Sequence, residues 1–158
     1  MKEAKQVIRD AELAWERDKD CRAFHRALGK LVLANNPEAI YLSSTKMKPR
    51  ETVAQFEMRR FWCLHQAARF GHAESLYCLG VHYDGGDLII KNGAIASVYF
   101  RLAAEQGHPE AKFNHALDLI NGSNGIKMDA EEGLRLLNAA AALGVVAAKN
   151  ELNRLRKT

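Results

Sequence analysis

Apolar residues recur along this chain at helical spacing. Ile95, Val98, Tyr99, Leu102 and Ala103 fall at i, i+3, i+4, i+7 and i+8, which on a 3.6-residue turn is one stripe down one face. Phe113, Ala116, Leu117 and Ile120 draw the same stripe in the next predicted helix. Phe24, Ala27, Leu28 and Leu31 draw another over about 20–35, and Val7, Ile8, Ala11 and Trp15 one over about 3–18. Asp129, with Glu132 three residues on, reads as a capping box opening a helix that runs to Gly144.

Between these stripes the chain repeats itself. "AARFGHAES" at 67–75 returns as "AAEQGHPEA" at 103–111 and as "AAALGVVAA" at 140–148. Aligned on Gly71, Gly107 and Gly144, the copies match Ser75 with Ala111, Tyr77 with Phe113, Gly80 with Ala116, Tyr83 with Leu119 and Gly86 with Gly122. A glycine after a helical stripe ends the helix, because it tolerates a left-handed backbone. The paired alanines before it let two helices approach closely. A period near 36 residues with two helices per unit is the sequence signature of an α-solenoid.

Worn copies extend the phase backwards. Pro37, Glu38, Ala39 and Tyr41 each stand 72 residues before Pro109, Glu110, Ala111 and Phe113. The segment "ETVAQFEMRRFWCLHQAARFG" then supplies the second helix of that unit. The expected architecture is all-α: one solenoid domain over 1–158, of about four helical hairpins plus a closing helix over 145–156. Divergent hairpins fill 1–65, clear repeats 66–148 and an end cap 149–158. Asn150, Asn153 and Arg154 give that last helix the polar outer face a terminal repeat needs.

Composition narrows the class. A 47% hydrophobic and 27% charged chain is globular and not disordered. No apolar run approaches the roughly 20 residues of a membrane span, and the charged start "MKEAKQVIRDAELAWERDKD" does not read as a secretory signal. Three unpaired cysteines, Cys21, Cys63 and Cys78, point to buried thiols in a reducing, cytoplasmic setting. The net charge of +4 is spread out. Its densest stretch carries Lys46, Lys48, Arg50, Arg59 and Arg60 against Glu51 and Glu57, either a solvated helix face or a surface for nucleic acid or another anionic partner.

The wording of the clear repeats, "SLYCLGVHYDGG", "ASVYFRLAAEQGHPEA", "GIKMDAEEG" and the returning Ala-Ala-x-x-Gly, resembles the Sel-one-like (Sel1-like) repeat, a relative of the tetratricopeptide repeat. The resemblance covers about 66–148. It implies protein binding, through a concave face built mostly from the first helix of each hairpin. Members of that family act as adaptors, regulators and secretion-linked factors, and some small bacterial ones look like immunity proteins that plug a toxin. Three departures stand out. His115 occupies the place of Leu79, Ala116 replaces the repeat's glycine, and "DGGDLIIKN" lacks the clean Gly-Val-x-x-Asp wording of the family that "GIKMD" keeps. A cysteine-rich branch staples each hairpin with paired cysteines, and some of its members have been linked to β-lactams. Here those positions hold Ala68 with Leu76 and Ala104 with Lys112, which argues against that branch and against an enzyme.

No nucleophile, base and orienting group stand at a familiar spacing, and no cofactor motif is present. "NGSNG" at 121–125 lacks the lysine and preceding strand of a phosphate loop and reads as a solvent loop. The histidines show no metal-ligand spacing, so no metal is expected. His72 and His108 hold the same place in successive repeats and read as repeat wording. The candidate site is a partner-binding ladder. Tyr41, Tyr77 and Phe113 recur at 36-residue intervals, with Val81 and Leu117 one turn beyond. These aromatics serve either as interface anchors or as repeat packing. Glu74, Asp84, Glu110 and Arg154 are expected to set specificity, because they vary between repeats. The expected partner is another protein, such as an effector, toxin or regulator.

Overall fold

The computed structural model describes residues 2–86 and 89–157. Nine helices and no strand make up the described residues: α1 Lys2–Asp18, α2 Cys21–Leu33, α3 Pro37–Ser43, α4 Val53–Arg69, α5 Ala73–Gly85, α6 Gly93–Glu105, α7 Pro109–Asn121, α8 Ala130–Ala142 and α9 Val146–Leu155. They pair as α1/α2, α3/α4, α5/α6 and α7/α8, with α9 closing on α8, in the phase that the repeat predicts. The chain divides into two compact units, Met1–His72 and Ala73–Thr158. The divergent loop "DGGDLIIKN" includes Asp87 and Leu88, which lie outside the described residues.

Side chains fix most helix starts, where the first amides lack intrahelical partners. Asp20 accepts from Arg22 and Ala23, Asn36 from Ala39, Asn92 from Ile95 and Asp129 from Glu132. The capping box expected at Asp129 is only half formed. Glu132 turns its carboxylate to Arg135, both contacts at 2.6 Å, instead of back to the Asp129 amide. A complete box stands at Thr52 and Gln55, at 2.9 and 3.2 Å, and opens α4. Gly71, Gly107 and Gly144 sit one residue past the caps of α4, α6 and α8, with φ of 74°, 92° and 97°. There a side chain would strain the turn.

In the first unit Ala11, Phe24, Leu28, Ala39 and Leu42 form the core of α1–α3, with Ile8 and Trp15 packed on it. Ile40, Cys63 and Ala67 join α3 to α4. In the second unit Ala116, Leu119, Leu136, Leu137, Ala140, Val145 and Ala148 form the core of α7–α9.

The departure at Ala116 has a packing explanation. Helices α5 and α6 meet where Gly80 lies under the Phe100 ring, and a Cβ there would fall 2.6 Å from it. In the next hairpin Ala116 takes the place of Gly80, and Gly133 on α8 takes the place of Ala96. A Cβ on Gly133 would meet Ile120 at 2.7 Å and the Ala116 carbonyl at 3.0 Å. Both hairpins thus use one glycine and one alanine for close approach, exchanged between helices. Helix α7 is regular throughout.

Candidate functional site

The repeated phrase builds a polar joint. His108 caps α7, its Nδ1 accepting from the Ala111 amide at 3.3 Å. That leaves Nε2 to carry the proton, which it donates to Glu74 on α5 at 3.0 Å. The Tyr77 ring lies on the imidazole, with centroids 4.3 Å apart and planes 19° from parallel. Burial, and then the nearby Glu110, Cys78 and Glu74 charges, push the Tyr77 phenol up, so it stays protonated.

The first unit holds the same triad 36 residues earlier. His72 meets Glu38 at 3.0 Å, and the Tyr41 ring sits 4.8 Å from the His72 ring. The His72 hydrogen bond holds the Glu38 carboxyl below its ordinary range. At the last joint valine replaces histidine. Val145 is buried beside Phe113 in the α7–α9 core, and α9 has no side-chain cap. Replacing His108 by Ala is expected to lower stability by about 1–2 kcal/mol, the worth of a helix cap, with a further loss from the Tyr77 contact. His108→Val, which copies the last joint, is expected to lose less. Urea midpoints of the two variants measure the difference.

The aromatic positions of the ladder therefore all pack within their own units. Tyr77 stacks on its histidine, Tyr41 lies tilted against its own, and Phe113 lies against an apolar cluster, each half-buried. Glu74 is held by His108, and Glu110 is exposed, 3.5 Å from Nδ1 of the same ring. Asp84 is exposed. Arg154 on α9 forms a two-pronged pair with Glu151, at 2.5 and 2.9 Å. Val81 on α5 remains 43% exposed, and its repeat counterpart Leu117 on α7 is half-buried.

The basic 46–60 segment is largely occupied internally. Arg59 makes a bidentate pair with Glu51, at 2.7 and 2.8 Å, and donates to the Ser43 and Lys46 carbonyls at 2.5 and 2.9 Å. Lys46 lies over the Trp15 ring, and Arg60 is 3.8 Å from Glu57. Lys48 and Arg50 are exposed.

Of "NGSNG", Asn121 ends α7 and only 122–125 form the expected loop, which is tethered. Buried Asp118 accepts from Ser97 on α6 at 2.5 Å and from Ser123 and Asn124 in the loop at 2.8 Å each. None of the three cysteines is in a disulfide among the described residues; Cys63 is buried and the other two are half-buried. Among the described residues no cluster of His, Cys, Asp and Glu could hold a metal ion, and no helix is long and apolar enough to cross a membrane.

Sequence reasoning missed the triads because their partners lie 34 residues apart. The available signal was the glutamate standing 34 residues before each joint histidine, Glu38 before His72 and Glu74 before His108.

No protein-family model matches the chain, and no curated protein matches it in sequence. Solved structures do match it in fold. A Sel1 repeat protein from Oxalobacter formigenes superposes with a TM-score of 0.83 over 96% of this chain and 46% of its own, at 22% identity. A protective antigen present in uropathogenic Escherichia coli strains, which displays an SLR fold, gives 0.64 over 78% and 26%, at 23% identity. The Helicobacter pylori cysteine rich protein B gives 0.59 over 91% and 96%, at 16% identity. The chain spans less than half the length of the first two. In fold, the chain is similar to Sel1 repeat proteins.

Proposed function

We propose that the chain is a protein-binding module with no catalytic step of its own, and that its second unit holds a partner along the outer side of α5 and α7. The carrying observation is the division of labour among the repeated apolar positions. Tyr77 and Phe113 are engaged in joints and core, whereas Val81, one turn beyond Tyr77, is left 43% exposed with half-buried Leu117 at the matching place. Exposed Asp84 and Glu110 would rim that surface with negative charge. An apolar centre with a charged rim is the anatomy of a protein interface. The partner class is an effector, toxin or regulator met in the cytoplasm. The chain would occlude or escort it one-to-one, as an immunity protein or an adaptor does.

The test is affinity capture from native lysate with wild type and the Val81→Lys/Leu117→Lys variant side by side. The variant leaves both histidine joints in place. The expected result is one stoichiometric partner, bound at least about tenfold more weakly by the variant, as a central hot spot requires. A folded variant that retains its partner at wild-type affinity sinks the reading.

A further inference from the structure

An open cleft of about 350 Å³ lies between α6, α7 and α8, apart from Val81 and Leu117. One cation from each helix lines it: Arg101, Lys112 and Arg135. Two of these are already answered. Arg101 pairs with Glu105 at 2.7 Å, and Arg135 with Glu132 at 2.6 Å. Lys112 donates to the Ala104 carbonyl at 2.8 Å and forms no ion pair among the described residues.

His115 completes the wall, and it is the anomaly. It is 7% exposed, and its Nδ1 has no hydrogen-bond partner among the described residues. In the preceding repeat the same position is Leu79, fully buried. An imidazole here therefore costs stability that leucine would not, because a buried polar atom without a partner loses its hydration for nothing. Burial pushes the ring's pKa down, so it is neutral at pH 7 and adds no second charge to the cleft.

We propose that this cleft binds a carboxylate group, with Lys112 as its counter-ion and His115 as the hydrogen-bonding group in the wall behind it. One unanswered cation matches one negative charge. Arg101 and Arg135, already oriented by Glu105 and Glu132, frame the opening with further N–H donors. The carboxylate is either that of a small free acid or that of a peptide C-terminus. Both present the same acceptor atoms.

The experiment titrates the ¹⁵N-labelled full chain with sodium acetate and, separately, with N-acetyl-glycylglycine, holding ionic strength constant with sodium chloride. Saturable amide shifts on α6–α8 are expected with at least one probe. Tighter saturation by the dipeptide assigns the site to a peptide terminus, and equal saturation to a free acid. Lys112→Met is expected to weaken binding by at least about tenfold. His115→Leu is expected to raise the thermal midpoint while weakening binding, a pairing that a merely structural histidine would not give. Because His115→Leu restores the residue type of the preceding repeat, it tests the site even where Lys112→Met fails to fold. No saturable shift with either probe, or wild-type binding in the folded variants, overturns the proposal.

Discussion

Replacing Arg59 with alanine is expected to lower the stability of the first unit by about 3 kcal/mol, because it leaves a buried carboxylate without its partner. The pair is well shielded, with the Arg59 side chain 16% exposed and that of Glu51 9%. The guanidinium also holds the carbonyls of Ser43 and Lys46, so one side chain fixes the turn between α3 and α4. The pair carries a pH signature. The Arg59 hydrogen bonds lower the Glu51 carboxyl from 4.5 to about 2. A depressed carboxylate stabilises the fold fully above its unfolded pKa, and that stabilisation drains away as pH falls through the folded one. The window is therefore pH 4.5 down to about 2. Denaturant unfolding of wild type and Arg59→Ala at pH 7 and pH 3 checks both claims. The gap between the two proteins should shrink by roughly half at pH 3. An equal gap at both pH values rules the linkage out.

The second large effect is expected at Gly80. Gly80→Ala places a methyl group 2.6 Å from the Phe100 ring, itself only 5% exposed, so the ring or α6 has to move. Overpacking of this kind costs about 2–3 kcal/mol. Gly29, inside α2, has nothing within 4 Å of its absent Cβ. The same substitution there should instead stabilise by about 0.5–1 kcal/mol, through helix propensity. Thermal melts of the pair separate packing from propensity. Adding Phe100→Leu to Gly80→Ala should recover part of the loss. A Gly80→Ala protein that melts with wild type would show that α5 and α6 are not in contact at this point.

Helices and their pairing were legible in the sequence because they rest on local spacing. A stripe at i, i+3, i+4 and i+7 is readable within one window, and the 36-residue phase sets which helix follows which. The joints were not legible in the same way. Glu74 and His108 meet across a whole hairpin, so no window contains both, and the aromatic between them read equally well as an anchor. Arg59 looked like one charge in a basic run, because the carbonyls it binds carry no residue-type signal. Caps failed in both directions. Thr52 and Gln55 spelled a box within α4's first turn and formed one, while Glu132 had a stronger partner in Arg135 one turn on and left its box half made.

The histidine joints also bear on how such a chain can grow. Residues 73–108 carry in one stretch the glutamate and tyrosine that receive a joint and the histidine that closes it. A tandem copy of that stretch placed after His108 would bring its own closing histidine and offer its own glutamate and tyrosine to meet it. Nothing already present would need to change to accept the new hairpin. The last joint differs, since Val145 lets Phe113 end the series in oil instead of in a hydrogen bond. Duplication is therefore compatible with the polar seams, which makes the number of hairpins joined in this way an adjustable property.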